Sequence, residues 1–179
     1  MGLLAAIMLA VYLANPFGTA SLDPRARLLG VALYKIPSRA MEPTLQQGDF
    51  ILAIAARYAF ADPQVGDLVV FRFPPPRSIA YVKRIAGIPG DRVRIDGGRL
   101  YVNERPVTEP YLAQQALRQP DSLRMAERTV PAGQYFMLGD NRDNSNDSRY
   151  WGYVPRADLV GRVFAVWYAE DTRRIGSVR

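Results

Sequence analysis

The first 22 residues carry no charged side chain, and Gly2–Ala14 (GLLAAIMLAVYLA) is almost wholly apolar. That pattern predicts a helix. A membrane-spanning helix needs roughly 20 apolar residues, and Asn15-Pro16 interrupts this one early. Three readings are open: a membrane anchor, a cleaved signal peptide with the small residues Gly18-Thr19-Ala20 at the cut, or a buried helix packed on the domain. We read residues 1–22 as an anchor. No Lys or Arg precedes the segment, while Arg25, Arg27 and Lys35 follow it, so charge alone gives no orientation.

Beyond Pro24 the apolar positions come in short runs of branched and aromatic residues, the mark of strands. Residues 49–54 and 67–73 are two such runs, each opened by a Gly-Asp turn. Residues 80–86 form a third, followed by the turn Gly87-Ile88-Pro89-Gly90-Asp91. Residues 92–96 alternate, meet Gly97-Gly98 and continue at 99–102, which reads as a hairpin. Strand signals return at 134–138 and 159–168. Pro74-Pro75-Pro76 cannot donate ladder hydrogen bonds and is expected in a loop or at an edge. Residues 112–127 are rich in Gln, Ala and Arg and broken by Pro120, so a loop or short-helix insertion is expected there. There is no internal repeat. The expected fold is mainly β: a compact, antiparallel, barrel-like core over residues 23–179, with a small insertion at about 97–133 and the apolar helix in front.

Composition narrows the chemistry. The chain has 179 residues, 49% hydrophobic and 22% charged, enough for one full core. It contains no His and no Cys. There is therefore no imidazole base, no thiol nucleophile, no disulfide and no thiolate metal site. Of 23 basic residues only Lys35 and Lys83 are lysines. Arg does not surrender its proton, whereas a desolvated Lys can. A search for a cationic base thus has two candidates. The net charge of +6 would suit nucleic acid or anionic lipid, but no zinc-finger, basic-zipper or RNP-type motif supports the first. No nucleic acid, metal or cofactor is expected.

Three segments carry chemistry: Ile36-Pro37-Ser38-Arg39-Ala40-Met41-Glu42-Pro43-Thr44-Leu45, then Tyr81-Val82-Lys83-Arg84-Ile85 with its Gly87–Asp91 turn, then residues 139–152, GDNRDNSNDSRYWG. Asp143, Ser145 and Asp147 have the alternate spacing of a calcium loop. Ser148 stands where such a loop requires Gly, however, and Val154 where it requires Glu, so calcium is not expected. In order, the three segments resemble the type I signal peptidases, membrane-bound serine proteases that remove signal peptides from exported proteins. The similarity runs from about Tyr34 to Val166.

The resemblance implies a Ser-Lys dyad, with one departure. The first motif of that family reads Ser-x-Ser-Met-x-Pro-Thr, and its second Ser is the nucleophile. Here Ala40 takes that place, and a methyl group cannot attack a carbonyl. The rest of the site is intact, so we read Ala40 as a replaced nucleophile in a working enzyme. The alternative is a natural, non-catalytic homologue that binds signal peptides. A self-cleaving repressor-like Ser-Lys peptidase would need a DNA-binding helix pair that the N-terminus does not offer.

By the same resemblance Lys83 is the general base, Ser145 orients it, and Ser38 with the backbone N–H of position 40 forms the oxyanion hole. Asp147 supports the site through a salt bridge with Arg149 or Arg142. A Lys base must be neutral, which burial among Tyr81, Val82 and Ile85 would favour. Tyr34, Ile36, Pro37, Met41, Leu45, Ile51, Tyr81 and Val82 match positions near shallow apolar pockets that admit the small residues of an Ala-x-Ala site. The expected partners are signal peptides of exported precursors and membrane lipids. The expected place is the bacterial cytoplasmic membrane, with a single N-terminal anchor and the catalytic domain on the extracytoplasmic side. The Arg-rich tail (Arg173, Arg174, Arg179) is expected to be solvated or to touch lipid head groups.

Overall fold

A computed structural model describes residues 2–72, 79–112 and 117–178. The Pro74–Pro76 reading and Arg179 lie outside these residues. Twelve strands occur among them: β1 (Val31–Lys35), β2 (Phe50–Ile54), β3 (Leu68–Arg72), β4 (Ala80–Gly87), β5 (Arg92–Asp96), β6 (Arg99–Val102), β7 (Arg105–Pro106), β8 (Arg124–Thr129), β9 (Gln134–Leu138), β10 (Val154–Pro155), β11 (Leu159–Tyr168) and β12 (Gly176–Ser177). Helices are few: α1 (Gly2–Ala14), α2 (Pro24–Leu29), α3 (Arg57–Phe60), α4 (Pro120–Leu123) and α5 (Ser148–Trp151). The protein is mainly antiparallel β, as expected.

The larger sheet runs β1-β2-β11-β3-β4-β9-β10, with β12 added to β11. Its path is open among the described residues, where a barrel-like core was expected; β1 and β10 do not pair. Strand β3 lies inside it and is buried on both faces, which explains its unbroken apolar run. Val70 packs with Ile36, Met41, Leu45, Ile51 and Val160. Val69 and Phe71 pack on the other face with Ile85, Tyr135 and Met137. The register of β11 against β3 shifts at Gly161, where an added Cβ would stand 2.8 Å from the Ala55 backbone. No larger residue fits that crossing.

A smaller sheet, β7-β6-β5-β8, begins at Arg92, ahead of the expected insertion at 97. Val93, Ile95, Leu100 and Met125 pack with Phe136 and Leu138 of β9 and so join the two sheets. The segment expected as a loop or short-helix insertion does hold the short helix α4, but its last residues, from Arg124, enter strand β8, which was not expected. Of its six residues only Met125 is buried, so solvent-facing polar positions hid the strand pattern. Strand β1 was not foreseen either.

Helix α1 has no buried residue, so the buried-helix reading fails. None of the helices among the described residues is long and apolar enough to cross a membrane. The tail also departs from expectation. Arg173 is exposed and pairs with Asp171, but Arg174 is largely buried. Its Nη2 lies 2.7 Å from Asp49 Oδ2 and donates to the Thr44 carbonyl at 3.2 Å, while Nη1 donates to the Pro43 carbonyl at 3.4 Å. The tail thereby ties down the turn that follows β1. Arg174→Ala would leave the buried Asp49 carboxylate without its cation. It is expected to cost roughly 1–3 kcal/mol in urea unfolding, with Arg174→Lys recovering part of the loss. An unchanged unfolding midpoint would contradict this role.

Candidate active site

Strand β1 runs directly into the first motif. The Ile36 N–H donates to the Asp49 carbonyl at 2.8 Å, and the Gly48 N–H donates to the Ile36 carbonyl at 2.9 Å, so the loop between them is closed at its base. Met41 and Leu45 are buried anchors beneath it. Ser38 and Arg39 stay exposed above, and Ala40 sits at the edge of the core.

The third motif meets the first through backbone. The Asn141 N–H donates to the Ala40 carbonyl at 3.1 Å, and Asn141 Nδ2 donates to the Arg39 carbonyl at 3.0 Å. Gly139 makes this approach possible. A Cβ there would lie 2.1 Å from Ser145 Oγ and 2.6 Å from the Ala40 carbonyl oxygen. Ser145 Oγ itself is buried and takes no hydrogen bond among the described residues.

Two buried ion pairs brace this junction. Arg84 binds Asp140 through both nitrogens of one edge, Nε to Oδ1 at 2.9 Å and Nη2 to Oδ2 at 2.6 Å. Asp140 Oδ2 also accepts the Thr44 hydroxyl at 2.5 Å, so β4, the first motif and the third motif share one carboxylate. Asp147 takes Arg149 in the same bidentate way, at 2.8 and 2.9 Å, and accepts the Gly139 N–H at 3.0 Å. Arg149, not Arg142, is thus the partner of Asp147. Arg142 is fully buried and pairs instead with Glu109, which ties the motif to the segment between β7 and β8 of the small sheet.

Lys83 lies on β4 opposite Val69 of β3. Its side chain is 3% exposed, and it forms no hydrogen bond or ion pair among the described residues. Burial pulls its pKa from 10.5 down to about 8, with Arg149 acting in the same direction. The carboxylates of Asp147 and Asp140 oppose that shift, but both are already engaged by arginines. The result is an amine able to shed its proton near neutrality.

Between the first motif and β4 lies a cavity of about 230 Å³. Tyr34, Ile36, Pro37, Met41, Tyr81 and Val82 line it, together with Ser38 and Lys83. Leu45 and Ile51 do not; both are fully buried in the core below. Among the described residues no group of three or more acidic side chains could hold a metal ion. Thr44, Arg84, Asp140 and Glu109 were given no role by sequence reasoning. The first three stand inside the motifs and could have been weighed as ion-pair partners, whereas Glu109 carried no local signal.

A family model described as "Signal peptidase, peptidase S26" matches residues 3–168. Signal peptidase I of Pseudomonas aeruginosa is 41% identical over 180 residues, covering 75% of this chain and 63% of that protein. Probable signal peptidase I-2 of Synechocystis is 43% identical over 136 residues, covering 72% and 59%. A crystal structure of a signal peptidase I from Enterococcus faecalis matches with a TM-score of 0.51 and 33% identity, over 57% of this chain and 97% of that one. The chain spans about three fifths of the length of these two curated relatives. With three motifs converging on one buried lysine and a match that runs through nearly the whole fold, the chain belongs to the signal peptidase, peptidase S26, family.

Proposed function

We propose that this chain carries the substrate cleft and catalytic centre of a serine endopeptidase that removes signal peptides from exported precursors, and that Ala40 disables it. The observation that carries the reading is Lys83: a buried amine without a counter-ion among the described residues, lining a cavity that Ser38 and Met41, on either side of position 40 in the chain, also line. The precursor would lie extended between β4 and the first motif and pair with their backbone. A cavity of about 230 Å³ with apolar walls takes small side chains and turns away large ones, consistent with cleavage after Ala-x-Ala.

With Ser at position 40, neutral Lys83 would take the hydroxyl proton as the oxygen attacks the scissile carbonyl, then return it to the leaving amine. Ser145 would hold the lysine in line, and Asp147 would hold the Ser145 loop through Gly139. The Ser38 hydroxyl and the N–H of residue 40 would donate to the oxyanion. With Ala40 only binding remains. The apolar N-terminal segment would anchor the chain in the bacterial cytoplasmic membrane, among lipids, with the catalytic domain on the extracytoplasmic side. The same alanine favours a second reading, a homologue that holds signal peptides without cutting them.

Ala40→Ser separates the two. The enzyme reading predicts cleavage of an Ala-x-Ala peptide by this variant, at least about 10³-fold above the Ala40 chain, and loss of that gain on adding Lys83→Ala. A folded Ala40→Ser protein that binds the peptide but never cuts it supports the binding reading. In the active variant kcat/KM should rise with pH and level off above about 8, because the neutral amine is the working form. A profile flat from pH 6 to 9 would contradict Lys83 as base.

Burial of Lys83 also has a stability sign. Between about 8 and 10.5 the unfolded chain binds the lysine proton and the folded chain does not, so stability rises with pH through that window. Lys83→Met should abolish this slope and stabilise the fold at pH 7 by on the order of 1–3 kcal/mol in chemical denaturation. A destabilised Lys83→Met protein would indicate a partner for the amine.

A further inference from the structure

Removing the serine hydroxyl changes what Lys83 is available to do. A neutral primary amine is a nucleophile toward carbonyl carbon, and one desolvated in an apolar pocket is the usual form of an imine-forming lysine. Lys83 has that setting. It opens into a cavity of about 230 Å³, is otherwise enclosed, and has no carboxylate or hydrogen-bond acceptor of its own among the described residues. Ile36, Met41, Val70 and Val82 wall the cavity with apolar surface, and Ser38 supplies one hydroxyl on its rim. At position 40 there is only a methyl group, and the chain has no thiol or imidazole that would compete for an electrophile.

We propose that the cavity is a covalent capture site for short aliphatic aldehydes, which condense with the Lys83 amine to form an imine. The nitrogen lone pair attacks the aldehyde carbon, forming the C–N bond. The carbonyl oxygen takes up a proton as the nitrogen loses one, giving a carbinolamine. The hydroxyl then leaves with the remaining N–H proton as water, the C–O bond breaks as the nitrogen lone pair forms the C=N bond, and nothing is oxidised or reduced. Apolar walls keep bulk water from reversing the last step, and Ser38, with Tyr34 and Tyr81, brings a hydroxyl to the cavity lining that can donate to the carbinolamine oxygen. The charged neighbours are Asp140, Asp147 and Arg149, and their mutual pairs Arg84–Asp140 and Asp147–Arg149 leave the amine uncompensated. Lys35, the second lysine, also borders this cavity, but it is exposed at the end of β1, with its amine over the Phe50 ring. The site is that of the proposed peptidase, but amine capture does not require peptide-bond cleavage.

The presence of only two lysines makes the test clean. The unaltered chain is incubated with propanal at pH 8, reduced with borohydride, and mapped by peptide mass spectrometry. The proposal predicts propyl label on Lys83 at least about tenfold above Lys35, which is exposed where Lys83 is desolvated. The excess should vanish when labelling is done in urea, remain in Lys35→Arg, and disappear in Lys83→Arg. Label confined to Lys35 and the amino terminus, or an excess on Lys83 below about threefold in the folded chain, overturns the proposal. Because the site is mapped in the unaltered protein, the result does not depend on whether Lys83→Arg folds. Cleavage by Ala40→Ser is read on a different protein by a different method, so either claim can fail alone.

Discussion

Burying an amine costs free energy unless an anion or a set of acceptors compensates it, and at Lys83 neither is present among the described residues. The site depends on that uncompensated desolvation. A lysine with a counter-ion would stay charged and could neither take a proton from a serine nor attack a carbonyl. The fold supplies the desolvation by setting Lys83 on an inner strand, with β3 on one side and β9 on the other.

The surrounding charges could easily undo this arrangement. Asp140 and Asp147 are both near enough to favour a charged Lys83. Each is instead held by the fork of an arginine, and each also accepts a neutral donor, the Thr44 hydroxyl or the Gly139 N–H. The carboxylates are thus spent on bracing. The same bonds fix the backbone on which Ala40, Gly139 and Ser145 converge, so one set of ion pairs both shapes the site and spares the amine. Arg174 adds a restraint from outside the family match, which ends at residue 168.

Much of the β architecture was legible because its signals are local. Runs such as 67–73 and 80–86 are apolar or branched, and their bounding turns carry Gly with Asp or Pro. The three motifs were legible because they are contiguous. What escaped depends on contacts remote in sequence. Strand β8 shows its buried face at one residue, Met125, and only its pairing with β5 makes it a strand. Leu45, in the first motif, and Ile51, close after it, look like pocket residues, but the turn carries Leu45 and strand β2 carries Ile51 into the core. Arg174 looked like a solvated tail because its partners, Asp49 and the carbonyls of Pro43 and Thr44, lie over 120 residues away. The choice of Arg149 over Arg142 for Asp147 likewise follows from Glu109, which claims Arg142 from the far side.

The protonation state of the Lys83 amine can be read directly. With lysine labelled at its side-chain carbon, the folded chain gives two NMR signals, which Lys35→Arg assigns. Titrating the Lys83 signal should give a pKa near 8. A value near 10.5, that of a solvated lysine, would contradict an amine made neutral by burial.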